Sequence, residues 1–153
     1  MKRNQNGFSL IELLIVVAII LIIAAIAIPN LIKSKMAANE SSAVGSLRTI
    51  TTANIAYSTA CPTVGFAATL AELQAGATCP AASNEIDNTL STGTKSGYSF
   101  HNYTATGTPA TQFKINADPL TTSSGTRHFF VDESGVIRAN STAAAANTDN
   151  ALQ

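Results

Sequence analysis

An unbroken apolar run from Leu13 to Ile28, extended on the far side of Glu12 by Phe8, Leu10 and Ile11, dominates the hydrophobic pattern of the chain. About 20 residues at ~1.5 Å each cross a hydrocarbon core of ~30 Å, so the run predicts a membrane-spanning helix. Beyond Pro29 the solid run gives way to Ala43, Leu47, Ile50, Ala53 and Tyr57, spaced three and four residues apart. That period predicts a helix with one buried face. Ser58 and Thr59 are weak helix formers and Pro62 disfavours helical geometry at Cys61, which places its end near Thr59. Gly45 and the cluster Thr49, Thr51 and Thr52 are poor for an isolated helix, so packing against a sheet has to hold this half.

Downstream, Thr69 to Gln74 followed by Gly76 reads as a short helix with a glycine stop. Gly97 to Ala105 alternates, with Tyr98 and Phe100 on one side and Ser99, His101 and Tyr103 on the other; Thr111 to Ala117 puts Phe113 and Ile115 on a common face. Thr126 to Val131 and Val136 to Arg138, joined by Asp132-Glu133-Ser134-Gly135, complete an antiparallel meander. Residues 139–153 are an Ala/Thr/Asn tail without apolar anchors, expected to be mobile. The fold class is α+β: a long N-terminal helix, membrane-spanning in its first half and amphipathic in its second, packed on a C-terminal antiparallel β-sheet.

At 153 residues the chain is one domain's worth, and 46% apolar residues exclude wholesale disorder. With so much of the Ile and Leu spent near the N-terminus, the remaining core is small. Nine basic and nine acidic residues cancel without a Lys/Arg patch, so nucleic-acid binding is not implied. Two cysteines and two histidines match no zinc spacing. Ser, His and Asp occur without a Gly-x-Ser-x-Gly elbow, and the pattern points to no enzyme and no cofactor. Both histidines lie in strands beside an aromatic and read as surface or groove polar residues. Asp118, Asp132 and Glu133 could in principle gather calcium, but their loop lacks a dense Asp/Gly pattern, and no metal is assigned. Asn39, Asn102 and Asn140 begin Asn-x-Ser/Thr triplets, a pattern too short to assign glycosylation.

The segment ahead of the apolar run, Met1-Lys2-Arg3-Asn4-Gln5-Asn6-Gly7, carries two cations that hold the N-terminus in the cytoplasm and send the rest across. Three readings compete for it. A cleaved secretory signal would use Ala25-Ile26-Ala27 as its small-x-small site. A plain uncleaved anchor would retain everything. Neither has a use for Glu12, whose carboxylate costs about 2.5 to 3.5 kcal/mol at the centre of an apolar helix and somewhat less near its end.

The third reading comes from Gly7-Phe8-Ser9-Leu10-Ile11-Glu12-Leu13. A short basic leader, Gly, an aromatic, Glu four residues further on and a long apolar helix resemble the processing site of type IV prepilins and type II secretion pseudopilins. The resemblance is close over residues 1 to about 35 and in outline beyond, where a long helix on an antiparallel sheet is also pilin-like. It implies that a prepilin peptidase/methyltransferase cuts after Gly7 and N-methylates Phe8, and that Glu12 is an assembly residue pairing with the terminal ammonium of another subunit. Pro29 implies a kink or local loosening over residues 25 to 30, against the plainer reading of a boundary between two helical halves.

The resulting organisation is a leader over 1–7, a transmembrane and assembly helix over 8–29, an amphipathic helix over 30–60, a head over 61–138 and the tail over 139–153. The implied partners are membrane lipid, inner-membrane assembly machinery and further copies in a helical filament. The implied location is the inner membrane, head outward, and then the cell surface. A pseudopilin of a secretion machine and a monomeric membrane-anchored binding protein or enzyme remain the rivals. Cys61 and Cys79 flank the short helix and, in an exported head, have only each other to pair with. A disulfide here departs from the C-terminal loop common among pilins.

Overall fold

The computed structural model of the chain describes residues 8–74, 79 and 86–152. The chain divides between Lys35 and Met36 into two units, and helix α1, Leu10–Ala60, contributes to both.

In the first unit every described residue from Phe8 to Lys35 is exposed apart from half-buried Ala24. Among the described residues, α1 is the one helix long and apolar enough to cross a membrane. Ile and Val are not strong helix formers in water, but in hydrocarbon a helix is the way one segment satisfies all its own backbone groups. Pro29 lies inside α1, and the helix runs through it without a break.

In the second unit α1 buries Ala43, Leu47, Ile50, Ala53 and Tyr57, the stripe its spacing predicts, together with Glu40, Ser46 and Asn54. The helix threonines, exposed Thr49 and Thr52 and half-buried Thr51, satisfy their own hydroxyls: Thr49, Thr51 and Thr52 donate to the carbonyls of Gly45, Leu47 and Arg48, each at 3.0 Å. Helix α2 is Leu70–Gln74 and α3 is Asn88–Ser91. A Thr69-x-x-Glu72 start opens α2, with the Glu72 N–H donating to Thr69 Oγ1 at 3.4 Å. Gly76, expected as its stop, lies outside the described residues.

Five antiparallel strands follow in the spatial order β1-β2-β3-β4-β5: Thr94–Lys95, Tyr98–Gly107, Ala110–Pro119, His128–Asp132 and Arg138–Asn140. Tyr98, Phe100, Phe113, Ile115, Phe129 and Val131 join the α1 stripe in one core. The short β1 and α3 were not anticipated from sequence. Two or four residues are too few for a period to register.

Two expectations are corrected. Tyr103 does not share a side with Ser99 and His101. His101 pairs with Asn116 and Thr104 with Lys114, so β2 carries one extra residue against β3, and Asn102 takes it up at φ 54°. The bulge inverts the alternation. It turns Tyr103 toward the core, where its ring lies 6.4 Å from that of Phe113 and its hydroxyl meets Asn54 Oδ1 at 2.8 Å and the Ala67 carbonyl at 2.9 Å.

The tail is not free either. It folds back along β5, with the Leu152 N–H donating to the Ile137 carbonyl at 2.8 Å and the Ala139 N–H to Asn150 at 3.1 Å. Ala145 is buried over the outer sheet face, and its carbonyl accepts from Asn116 Nδ2 at 2.8 Å. Backbone pairing and one Leu supply the anchor that composition did not reveal.

Two glycines are required by close approach. At Gly65, φ 82°, a Cβ would stand 2.1 Å from the Ala110 carbonyl oxygen; at Gly125 it would stand 2.1 Å from the Tyr98 hydroxyl.

Candidate assembly segment and the polar clamps of the head

Of the residues singled out for processing, Gly7 lies outside the described residues and Phe8 is 83% exposed. Ser9 immediately precedes α1 and its carbonyl accepts the first helical bond, from the Leu13 N–H at 3.2 Å. Glu12 sits in the first turn, and its Oε2 accepts from the Ser9 N–H at 3.0 Å. Helix starts leave N–H groups without partners and carry a partial positive charge, and this carboxylate meets both conditions. Beside the assembly role that the resemblance implies for Glu12, the Ser-x-x-Glu spacing signals this local role.

Cys61 and Cys79 form a disulfide, their Cα atoms 5.9 Å apart and 18 residues apart in sequence. It closes the segment that carries α2. Cys79 is buried and Cys61 packs against the core.

The head contains a clamp that none of the expectations from sequence covers. Glu40, 7% exposed on α1, accepts through Oε1 from the Thr126 N–H at 2.9 Å, the Thr126 hydroxyl at 3.1 Å and the Arg127 N–H at 3.3 Å. Its Oε2 accepts from Arg127 Nε at 2.7 Å. Burial alone would raise this carboxyl, but the Thr126 and Arg127 donors and the guanidinium charge outweigh it and hold Glu40 below its ordinary 4.5. On the residue just before it, Asn39 Nδ2 donates to the Ser124 carbonyl at 2.9 Å. The Tyr98 hydroxyl donates to the Arg127 carbonyl at 2.9 Å, and desolvation, reinforced by the nearby Glu40 charge, pushes that phenol well above its usual range. Glu40 continues the 43-47-50 stripe by one step, which is the signal that could have found it.

A second polar group joins three strands. Asp118 on β3 stands between His101 on β2 and His128 on β4, its Oδ2 3.1 Å from His101 Nε2 and its Oδ1 2.7 Å from His128 Nδ1. The two histidines read from sequence as separate polar residues thus share one carboxylate. Strand register, which pairs Ser99 with Asp118 and Ala117 with Phe129, brings them together. The three acidic residues considered for calcium do not converge: Asp118 is taken by the histidines, and Asp132 Oδ1 accepts from the Ser134 N–H at 3.0 Å within its own turn. Among the described residues no group of three His, Cys, Asp or Glu is placed to hold a metal ion.

Residues 2–28 match the family model for the prokaryotic N-terminal methylation motif. The major component PilA4 of the type IV wide pilus of Thermus thermophilus is 60% identical over 38 residues, 25% of this chain and 29% of that protein. The type IV major pilin PilA of Myxococcus xanthus is 53% identical over 55 residues, 36% of this chain and 24% of that one. The chain thus spans less than a third of the length of these relatives in the matched stretch. No solved structure is significantly similar to it.

Proposed function

On the premise that this chain carries the N-terminal segment of the type IV pilin family, we propose that it is a structural subunit of a type IV pilus. It is made as a precursor, cut after Gly7 by a prepilin peptidase, N-methylated at Phe8 and held in the inner membrane by the apolar part of α1. Assembly machinery then polymerises it through that helix into a surface filament of identical subunits. The observation that carries this reading is Glu12: a carboxylate in the first turn of an otherwise apolar helix, four residues past an aromatic at a basic-leader junction.

The chemistry is electrostatic. Cleavage exposes at Phe8 an α-amino group with an ordinary pKa of about 7.7 to 8, and methylation leaves its charge in place. In a low-dielectric filament core that ammonium attracts a carboxylate of a neighbouring subunit strongly enough to select a register, although desolvation offsets much of the gain. Pro29 removes the N–H that would otherwise bond to the Ala25 carbonyl, so residues 25 to 30 are where the helix loosens when subunits repack.

Glu12→Ala tests the reading. Deleting the carboxylate lifts a cost of about 2.5 to 3.5 kcal/mol at most, so membrane insertion and cleavage continue. Filaments are lost, because an unpaired ammonium in the core costs several kcal/mol per subunit, about 3 to 5 by analogy with broken buried pairs. Glu12→Gln, which keeps the shape without the charge, fails in the same way. Normal yield of sheared filaments from both variants would contradict the proposal.

A further inference from the structure

We infer that Ser9 is a positioning residue for Glu12: a Ser9-x-x-Glu12 capping box fastens one carboxylate oxygen to the Ser9 backbone N–H and leaves the other open to the ammonium that assembly brings. The inference rests on the reading of Glu12 as the partner of that ammonium.

Ser9 occupies the capping position of α1 through its backbone. It lies just outside α1, and its carbonyl already accepts the first helical bond from Leu13. Glu12 is then the third helical residue, the place from which a carboxylate reaches back to the capping residue's own N–H. The 3.0 Å contact from Ser9 N to Glu12 Oε2 is that reach. Oε1 has no donor among the described residues.

This arrangement has physical consequences in an apolar setting. The Ser9 N–H is among the donors that α1 cannot satisfy by itself, and in hydrocarbon an unsatisfied donor is costly. The same bond answers half of the carboxylate's need, places its charge at the positive end of the helix and fixes its torsions before a second subunit arrives. A polar network in a dry core is tolerated when each member is satisfied, and here a single open acceptor remains. Ser9 supplies the donor from its backbone. Its peptide N–H is also the first of a chain that begins at Phe8, so the bond keeps the carboxylate at the very end of the subunit, where a charge contact between chains has to form.

The test is amide hydrogen exchange at Ser9 in the nitrogen-15-labelled full chain, held in phospholipid nanodiscs. The native chain and Glu12→Gln, whose amide oxygen can accept in the same box, are expected to exchange roughly fivefold to tenfold more slowly at Ser9 than Glu12→Ala, the size of a helix-cap contribution. Equal exchange in the native chain and Glu12→Ala overturns the inference and leaves the charge reading of Glu12 untouched. Filament yield per mature subunit supplies the second readout. Ser9→Ala, which keeps the backbone donor, is expected to assemble, and Ser9→Pro, which removes it, is expected not to. Equal yield from the two overturns the positioning role. Slow Ser9 exchange together with normal filaments from Glu12→Gln would leave a helix cap and overturn both this role and the charge reading beneath it.

Discussion

Glu40 on α1 and Arg127, 87 positions later in the chain, meet at 2.7 Å between Oε2 and Nε, while the Arg127 guanidinium lies 5.5 Å from the centre of the Phe129 ring. The same carboxylate takes up the Thr126 and Arg127 backbone N–H groups, so one side chain ties the helix to the loop between β3 and β4.

Glu40→Gln is therefore expected to destabilise the head by about 1.5 to 3 kcal/mol at neutral pH, the range for hydrogen bonds to a charged group, toward the lower end because Arg127 is 43% exposed and solvent screens the pair. The folded pKa of Glu40 lies below its ordinary 4.5, so its contribution is complete above that value and is lost as pH falls through the folded pKa. Urea unfolding at a series of acidic pH values checks this. The stability gap between native chain and variant narrows as the pH is lowered below about 4.5.

Reducing the Cys61–Cys79 bond, or replacing it in Cys79→Ser, is expected to cost the head about 3 kcal/mol by the loop-closure argument. Thermal unfolding with and without reductant measures the loss. Labelling of the exported protein under denaturing, non-reducing conditions should find neither thiol free.

Asn102 holds the bulge that turns Tyr103 inward, at a left-handed φ of 54°. Asn102→Val forces a β-branched residue into that conformation and is expected to cost about 1 to 2 kcal/mol, whereas Asn102→Gly stays within a few tenths of a kcal/mol of the native chain. Equilibrium denaturation of the two variants decides between a required backbone conformation and an incidental one.

How far the fold was legible follows the reach of each signal. The α1 stripe was readable because a helical period repeats over several turns, and β2 and β3 because alternation marks them, whereas the last strand, expected at Val136 to Arg138, lies at Arg138–Asn140. Alternation could not register the single inserted residue at Asn102, which reverses the side of every residue after it, and so Tyr103 was misplaced. The tail was misjudged because its anchors are backbone bonds to Ile137 and Ala139 and one Leu, none of which composition shows. Asp118 and its two histidines are a product of register across three strands, and register is a tertiary property. At the N-terminus the position was reversed. The motif around Glu12 was plain in the sequence, and the Ser-x-x-Glu spacing within it already marked the local bond to Ser9.

The most direct test of the filament account is the intact mass of this chain in filaments sheared from the surface of cells that make it. A filament containing the chain, with its mass beginning at N-methyl-Phe8, is the predicted result. A chain that begins at Ile28, that retains Met1 in cells with an active prepilin peptidase, or that is absent from any filament would contradict it.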